Sequence, residues 1–242
     1  MKVRAAVVGT GFMGAVHSRS IRAAGGELVA VVGSSHAKGT AGAAAFGAGF
    51  GTGSLDDALA AGVDVVHICT PNASHLPYAE KVLSAGVAVV CEKPLATGVA
   101  DAGRLAALAA DRGVVATVPF VYRYYASVHE ARRRLRAPGA AVPWLLHGSY
   151  LQDWLADPDA TDWRVDPAAG GDSRAFADIG VHWCDLAEFV TGQRLTRVAA
   201  RFARSAATRA SAPVDTEDGA VVSFETDHGA LGSVVVSQAT PG

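Results

Sequence analysis

Glycines 9, 11 and 14 constrain this chain more than any other residues, because they lie between an apolar run, Val3 to Val8, and a stretch with helical spacing. A Gly-x-Gly-x-x-Gly turn in that setting takes a chain from a buried strand into a helix within a few residues. Gly9 permits the tight turn, Gly11 lets a phosphate group approach the backbone, and Gly14 lets helix and strand pack closely. The helix that opens at Phe12 and Met13 presents free N–H groups and about half a unit of positive charge toward an anion.

Four more motifs follow strand-like runs: Gly33-Ser34-Ser35 after Leu28 to Val32, Thr70-Pro71-Asn72 after Val63 to Cys69, Glu92-Lys93-Pro94 after Val87 to Cys91, and Phe120 to Tyr125 after Val114 to Val118. Helical spacing fills the intervals at Met13 to Ala24, Lys38 to Phe46, Asp56 to Ala61, Ser74 to Ala85 and Gly98 to Arg112. Near-continuous Val and Ala strands are buried on both faces, which predicts a parallel sheet. Alternating strand and helix predicts a doubly wound α/β domain over residues 1–122, with ligands outside the carboxyl ends of the strands.

The pattern changes over residues 123–242. A helix is expected from Ser127 to Arg136, a strand from Trp144 to Leu151, a polar loop to Ser173 and a helix from Ile179 to Val190. Strands follow at Leu195 to Arg204, Asp218 to Phe224 and Ala230 to Ser237, the last two joined as a hairpin through Thr226 to Gly229. This predicts an α+β second domain with a mainly antiparallel sheet. Its final strand is expected at an open edge, which either a second copy or further chain beyond Gly242 would cover.

The 242 residues carry a net charge of −2, so no overall field draws nucleic acid or an anionic membrane, and Arg132 to Arg134 read as a solvated helix face. No window reaches the ~18 uncharged apolar residues that span a bilayer. Cys69, Cys91 and Cys184 form no C-x-x-C pair, which suits a reducing compartment and a cytoplasmic location.

The second strand ends without the carboxylate that grips the ribose of NAD; Ser34, Ser35, His36 and Lys38 stand there instead, which leans toward NADP. With Gly9, Gly11, Phe12, Met13 and Gly14, the expected cofactor residues are Ser34, Ser35, Thr70, Pro71, Asn72, His75, Glu92 and Lys93.

Gly9 to Gly14 with His17, Cys69 to Asn72 with His75, Glu92-Lys93-Pro94 and Asp178-Ile179-Gly180-Val181-His182 together resemble the Gfo/Idh/MocA family of nicotinamide-dependent oxidoreductases. The resemblance implies a Rossmann domain, a cis peptide before Pro94 and a catalytic group of Lys93, Asp178 and His182. It also implies a chain of more than 300 residues, so this sequence lacks a carboxyl-terminal part of the family's fold. Family members often carry a third glycine where this chain has Gly170-Gly171-Asp172.

A helix starting near Asp178 would place His182 on the same face, where a carboxylate fixes an imidazole's tautomer, and Asp185 would extend that face. At ordinary pKa values His182 is the better base and Lys93 the better group to hold oxygen, although strong desolvation of Lys93 would reverse this. As alternatives, Asp178 is an N-cap and His182 a core residue; a zinc site lacks a third ligand at convincing spacing, so no metal is expected.

Trp154, Trp163 and Arg164, with Tyr150, Gln152 and Asp153, suit a sugar or polyol, and Arg123 either contacts substrate or braces the linker between the domains. The reading is an NAD(P)-dependent dehydrogenase acting on a secondary hydroxyl of a sugar, cyclitol or related polyol, assembled as a homo-oligomer through the second-domain sheet. The alternatives are an NAD-dependent glycoside hydrolase using transient oxidation and a non-catalytic nucleotide sensor.

Overall fold

The computed structural model describes residues 1–241 and divides into two compact units, Met1–Pro119 and a second beginning at Phe120. In the first unit the elements are β1 (Arg4–Val8), α1 (Phe12–Ala23), β2 (Glu27–Val32), α2 (His36–Phe46), β3 (Phe50–Thr52), α3 (Leu55–Ala60), β4 (Val65–Ile68), α4 (His75–Ser84), β5 (Ala88–Cys91), α5 (Val99–Arg112) and β6 (Ala116–Thr117). All sheet pairings are parallel, in the order β3-β2-β1-β4-β5-β6. That is the 3-2-1-4-5-6 order of a dinucleotide-binding domain, whose chain reversal falls between β1 and β4.

Burial follows from the sequence pattern. Ala5 to Val8 and Ala30 to Val32 are at most 1% exposed, as strands covered by helices on both faces must be. One core joins β1, β2, β4 and β5 to Val82, Leu83 and Leu105 of α4 and α5; a smaller one packs Ile21 and Ala43 of α1 and α2 on the opposite face. Gly47 and Gly113 close α2 and α5 in the left-handed conformation, which lacks a steric penalty only for glycine. β3 is absent from the sequence reading: three residues between Gly49 and Gly53 are too few to show a period.

The second unit contains α6 (Ala126–Leu135), β7 (Leu145–Leu151), α7 (Pro167–Gly170), α8 (Val181–Thr191), β8 (Leu195–Ala203), β9 (Thr208–Arg209), β10 (Ala212–Pro213), β11 (Gly219–Thr226) and β12 (Leu231–Ser237). Its four-stranded sheet runs β7-β12-β11-β8, and Ile179, Phe176 and Trp183 pack on the face formed by Ala220, Val222, Val234 and Val236. One expectation is corrected: the final strand is not an edge, since β12 lies between β11 and β7, so the edges are β7 and β8. The sheet is mainly antiparallel, as the sequence implies, with β11 antiparallel to both β12 and β8 and only the β12–β7 pair parallel. The hairpin β9–β10 is a further element without a strong sequence signal; it turns through Ala210 and Ser211, both at positive φ (45° and 66°).

Candidate active site

In the first unit the glycine loop, Thr70-Pro71-Asn72 and Glu92-Lys93-Pro94 follow β1, β4 and β5, on either side of the chain reversal. Gly9 has φ +113°, and a Cβ there would lie 2.5 Å from the Cys69 carbonyl oxygen. A Cβ on Gly14 would lie 2.2 Å from the Gly9 oxygen, so α1 reaches its strand only because that atom is missing. Gly11 is exposed and a Cβ there would meet nothing within 4 Å. Open space beside a glycine backbone, at the N-terminus of a twelve-residue helix with no acidic residue in its first turn, fits a pyrophosphate.

The end of β2 carries exposed Ser34, Ser35, His36 and Lys38, with no carboxylate among them. The structure begins α2 at His36, two residues earlier than the sequence suggests, because the Ser35 hydroxyl caps it by accepting from the Lys38 N–H at 3.3 Å.

Beneath the strand ends lies a buried polar chain. His17 Nε2 is 3.0 Å from Glu92 Oε1, His17 Nδ1 is 2.9 Å from His67 Nδ1, and Glu92 Oε2 accepts from the Lys93 main-chain N–H at 3.2 Å. Burial, reinforced by the neighbouring His17, pushes the His67 pKa down to about 4. His67 is therefore neutral at pH 7. Glu92 is 7% exposed and His75 0%, so both lie under the crevice wall rather than on it. The ring of His75 spans the carbonyls of Pro94 and Thr70, at 2.7 and 2.9 Å, and ties the two loops together. Burial lowers its pKa against the opposing pull of those carbonyls; the neutral ring has one N–H and donates to one of them at a time. The Lys93–Pro94 peptide is cis.

In the second unit Asp178 does not start an α-helix. Phe176–Gly180 forms a π-helical turn, and α8 begins after it at Val181. Gly180 makes the turn possible, since a Cβ there would meet the Phe176 ring at 2.4 Å. The extra residue per turn changes the direction expected for Asp178 from α-helical spacing. Its carboxylate accepts from Gln238 Nε2 at 2.7 Å and lies 3.3 Å from Arg164 Nε. His182 is buried, with Phe120 and Tyr122 edge-on at 5.8 and 5.1 Å. Tyr122 and Tyr150 share a hydrogen bond of 2.6 Å; burial first, then Tyr150, pushes the Tyr122 hydroxyl up to about 12.

Arg123 braces the second unit. Its Nε donates to both carboxylate oxygens of Asp185, at 3.0 and 2.8 Å. Trp154 donates to Gln152 Oε1 at 2.9 Å, and the Arg164 guanidinium stacks over Trp163 at 4.4 Å. Sequence reasoning missed Gln238 and His67. A lone polar residue in the strand Val65–Ile68 was a usable signal for His67; nothing local marked Gln238. Burial raises all three thiols, Cys91 to about 12 and Cys184 to about 11, which leaves them protonated and unreactive.

A parallel sheet in this order, with a glycine-rich turn at its reversal point, defines the class of dinucleotide-binding domains. Residues 3–120 match the family described as "Oxidoreductase family, NAD-binding Rossmann fold", and residues 128–242 match "GFO/IDH/MocA C-terminal domain". The chain belongs to the Gfo/Idh/MocA oxidoreductase family. It is similar to inositol 2-dehydrogenase 4 of Saccharopolyspora erythraea, at 30% identity over 240 residues, covering 97% of this chain and 67% of that one. It is also similar to levoglucosan dehydrogenase of Pseudarthrobacter phenanthrenivorans, at 33% over 132 residues, 54% of this chain and 34% of the relative. A solved levoglucosan dehydrogenase in complex with NADH and levoglucosan superposes with a TM-score of 0.94 at 28% identity, over all of this chain and 68% of that one. The chain thus matches between 34% and 68% of the length of these relatives. Among the described residues no helix is long and apolar enough to cross a membrane.

Proposed function

We propose that the protein is an NAD(P)-dependent dehydrogenase acting on a secondary hydroxyl of a sugar, cyclitol or related polyol. The observation that carries this reading is the gathering of the Gly9–Gly14 loop, Thr70-Pro71-Asn72 and Lys93 at the carboxyl ends of β1, β4 and β5. The inositol and levoglucosan dehydrogenases named above support the substrate class.

When bound, the nicotinamide supplies a hydride acceptor or donor. Gly9, Gly11, Phe12, Met13 and Gly14 hold the pyrophosphate, and Thr70, Pro71 and Asn72 line the neighbouring wall. Lys93 holds and polarises the reacting oxygen, with its main chain fixed by Glu92 and its loop by His75. His182 takes the proton from the hydroxyl, and Asp178, held by Gln238 and Arg164, supports the charge that forms. Trp154, Trp163 and Arg164 form the polyol wall. Ser34, Ser35, His36 and Lys38 accommodate a 2′-phosphate, which favours NADP, although NADH is the cofactor of the levoglucosan dehydrogenase complex. Exposed Leu145, Leu151, Val221 and Leu231 share one face of the second-unit sheet and suit a homo-oligomer, and the reading places the protein in the cytoplasm.

The test is absorbance of the reduced nicotinamide across a panel of sugars and cyclitols with each cofactor. Turnover is expected, lost on Lys93→Met while NADPH affinity stays within about threefold. Tight cofactor binding with no turnover of any polyol would refute the reading.

A further inference from the structure

The second unit contains a buried ionic hub that the catalytic scheme does not use. Arg174, Arg209 and Asp218 are 2, 2 and 3% exposed. Arg209, on β9, donates Nη1 to the carbonyl oxygens of Asp157 (2.9 Å) and Ala160 (3.5 Å), and Nη2 to that of Leu155 (2.8 Å) and to Asp218 Oδ1 (2.7 Å). One planar cation thus gathers three main-chain carbonyls from a single loop. Trp154 immediately precedes the first of them, and Trp163 lies three residues after the last.

Asp218 binds a second guanidinium, that of Arg174, and its other oxygen accepts from the main chain and hydroxyl of Ser205 at 2.7 and 2.9 Å. Burial would raise the Asp218 pKa, but hydrogen bonds from Arg174, Arg209 and Ser205 overcome that and hold the carboxyl well below its usual range. Arg174 precedes the π-helical turn, and its carbonyl accepts the Asp178 N–H at 2.9 Å. Glu217 caps the same turn by accepting from the N–H groups of Arg174 and Phe176. A single carboxylate therefore anchors both the tryptophan loop, through Arg209, and the segment that carries Asp178, through Arg174.

Such a hub is an inefficient source of stability. Burying its charges opposes their attraction, and Arg209 Nε and Arg174 Nη1 find no hydrogen-bond partner among the described residues. What it supplies is register: the fork of Arg209 satisfies carbonyls at three fixed points, which a hydrophobic cluster would leave free to shift.

We propose that Arg209 and Asp218 are positioning residues that set the loop from Trp154 to Arg164 against Asp178, and thereby determine which polyol is accepted. The inference rests on the dehydrogenase reading above.

Arg209→Lys tests it, because an ammonium keeps the charge but cannot reach all three carbonyls. The polyol KM is expected to rise about tenfold, with kcat within about threefold and the dissociation constant for NADPH within about twofold. Amide exchange over residues 153–162 is expected to quicken. Ser205→Ala, at an exposed position, removes one donor to Asp218 and should raise KM in the same direction by about twofold; it decides the matter if Arg209→Lys does not fold. An unchanged KM in the variants, or a fall in kcat with KM unmoved, overturns the inference while leaving the dehydrogenase reading intact. Cofactor binding by the unmodified protein without turnover of any polyol overturns both.

Discussion

Acidification should weaken the first unit through His67. In the folded unit this imidazole resists protonation down to about pH 4, because burial and the neighbouring His17 disfavour its charged form. In the unfolded chain it takes a proton near ~6.5. Its folded pKa is depressed, so its contribution is complete above ~6.5, falls away as the pH drops toward 4, and changes no further below that. Two and a half decades of proton affinity correspond to a ceiling of about 3 kcal/mol, of which about 2 kcal/mol is lost between pH 7.5 and pH 5. His75, lowered by burial, adds to the loss with the same sign. The assay is urea unfolding followed by far-UV circular dichroism at both pH values. Tryptophan fluorescence is unsuitable, since Trp144, Trp154, Trp163 and Trp183 all lie in the second unit. His67→Asn retains a donor toward His17 but does not titrate, so its stability should fall by about 2 kcal/mol less than that of the unmodified protein across this interval. Equal losses in the two proteins would refute the assignment.

Gly14→Ala places a methyl group 2.2 Å from the Gly9 oxygen, and the forced displacement outweighs the ~1 kcal/mol that alanine gains in a helix. Affinity for whichever of NADH and NADPH the unmodified protein binds should fall more than tenfold by fluorescence titration, and undiminished binding would show that the loop does not hold the pyrophosphate. Ala210→Asn combined with Ser211→Gly relieves two residues at positive φ in the β9–β10 turn and should stabilise the protein by about 1 kcal/mol, read as a rise in Tm. A lower Tm would show that the two side chains make contacts worth more than the strain.

Much of the first unit was legible because its punctuation is local. Gly9 turns the chain at φ +113° directly after β1, and Gly14, five residues on, packs against the Gly9 oxygen, so both constraints show in a short stretch of sequence. The motif residues around Lys93 were legible for the same reason, as polar groups directly after buried strands. The second unit was less legible because its features depend on partners far away in sequence. Alternation along Leu231–Ser237 identifies a strand but does not say that it lies between two others. The π-helical turn depends on Gly180 meeting Phe176, and its four-residue spacing also suits an α-helix. Arg209 and Asp218, nine residues apart, reveal their role only once the hairpin brings them onto one loop.

The placement of β7 also bears on how the second unit acquires its structure. Its ladder joins Leu145 to Leu231 and Leu151 to Ser237, and β12 is its only neighbour in the sheet among the described residues. Partners 86 positions apart, as His147 and Ser233 are, must close a long loop before any of those bonds can form. β11 and β12, joined by a tight turn, can pair early, whereas β7 must wait for that ribbon. During synthesis its backbone groups remain unpaired until β12 has left the ribosome, so this segment is the one most exposed to pairing with the wrong strand.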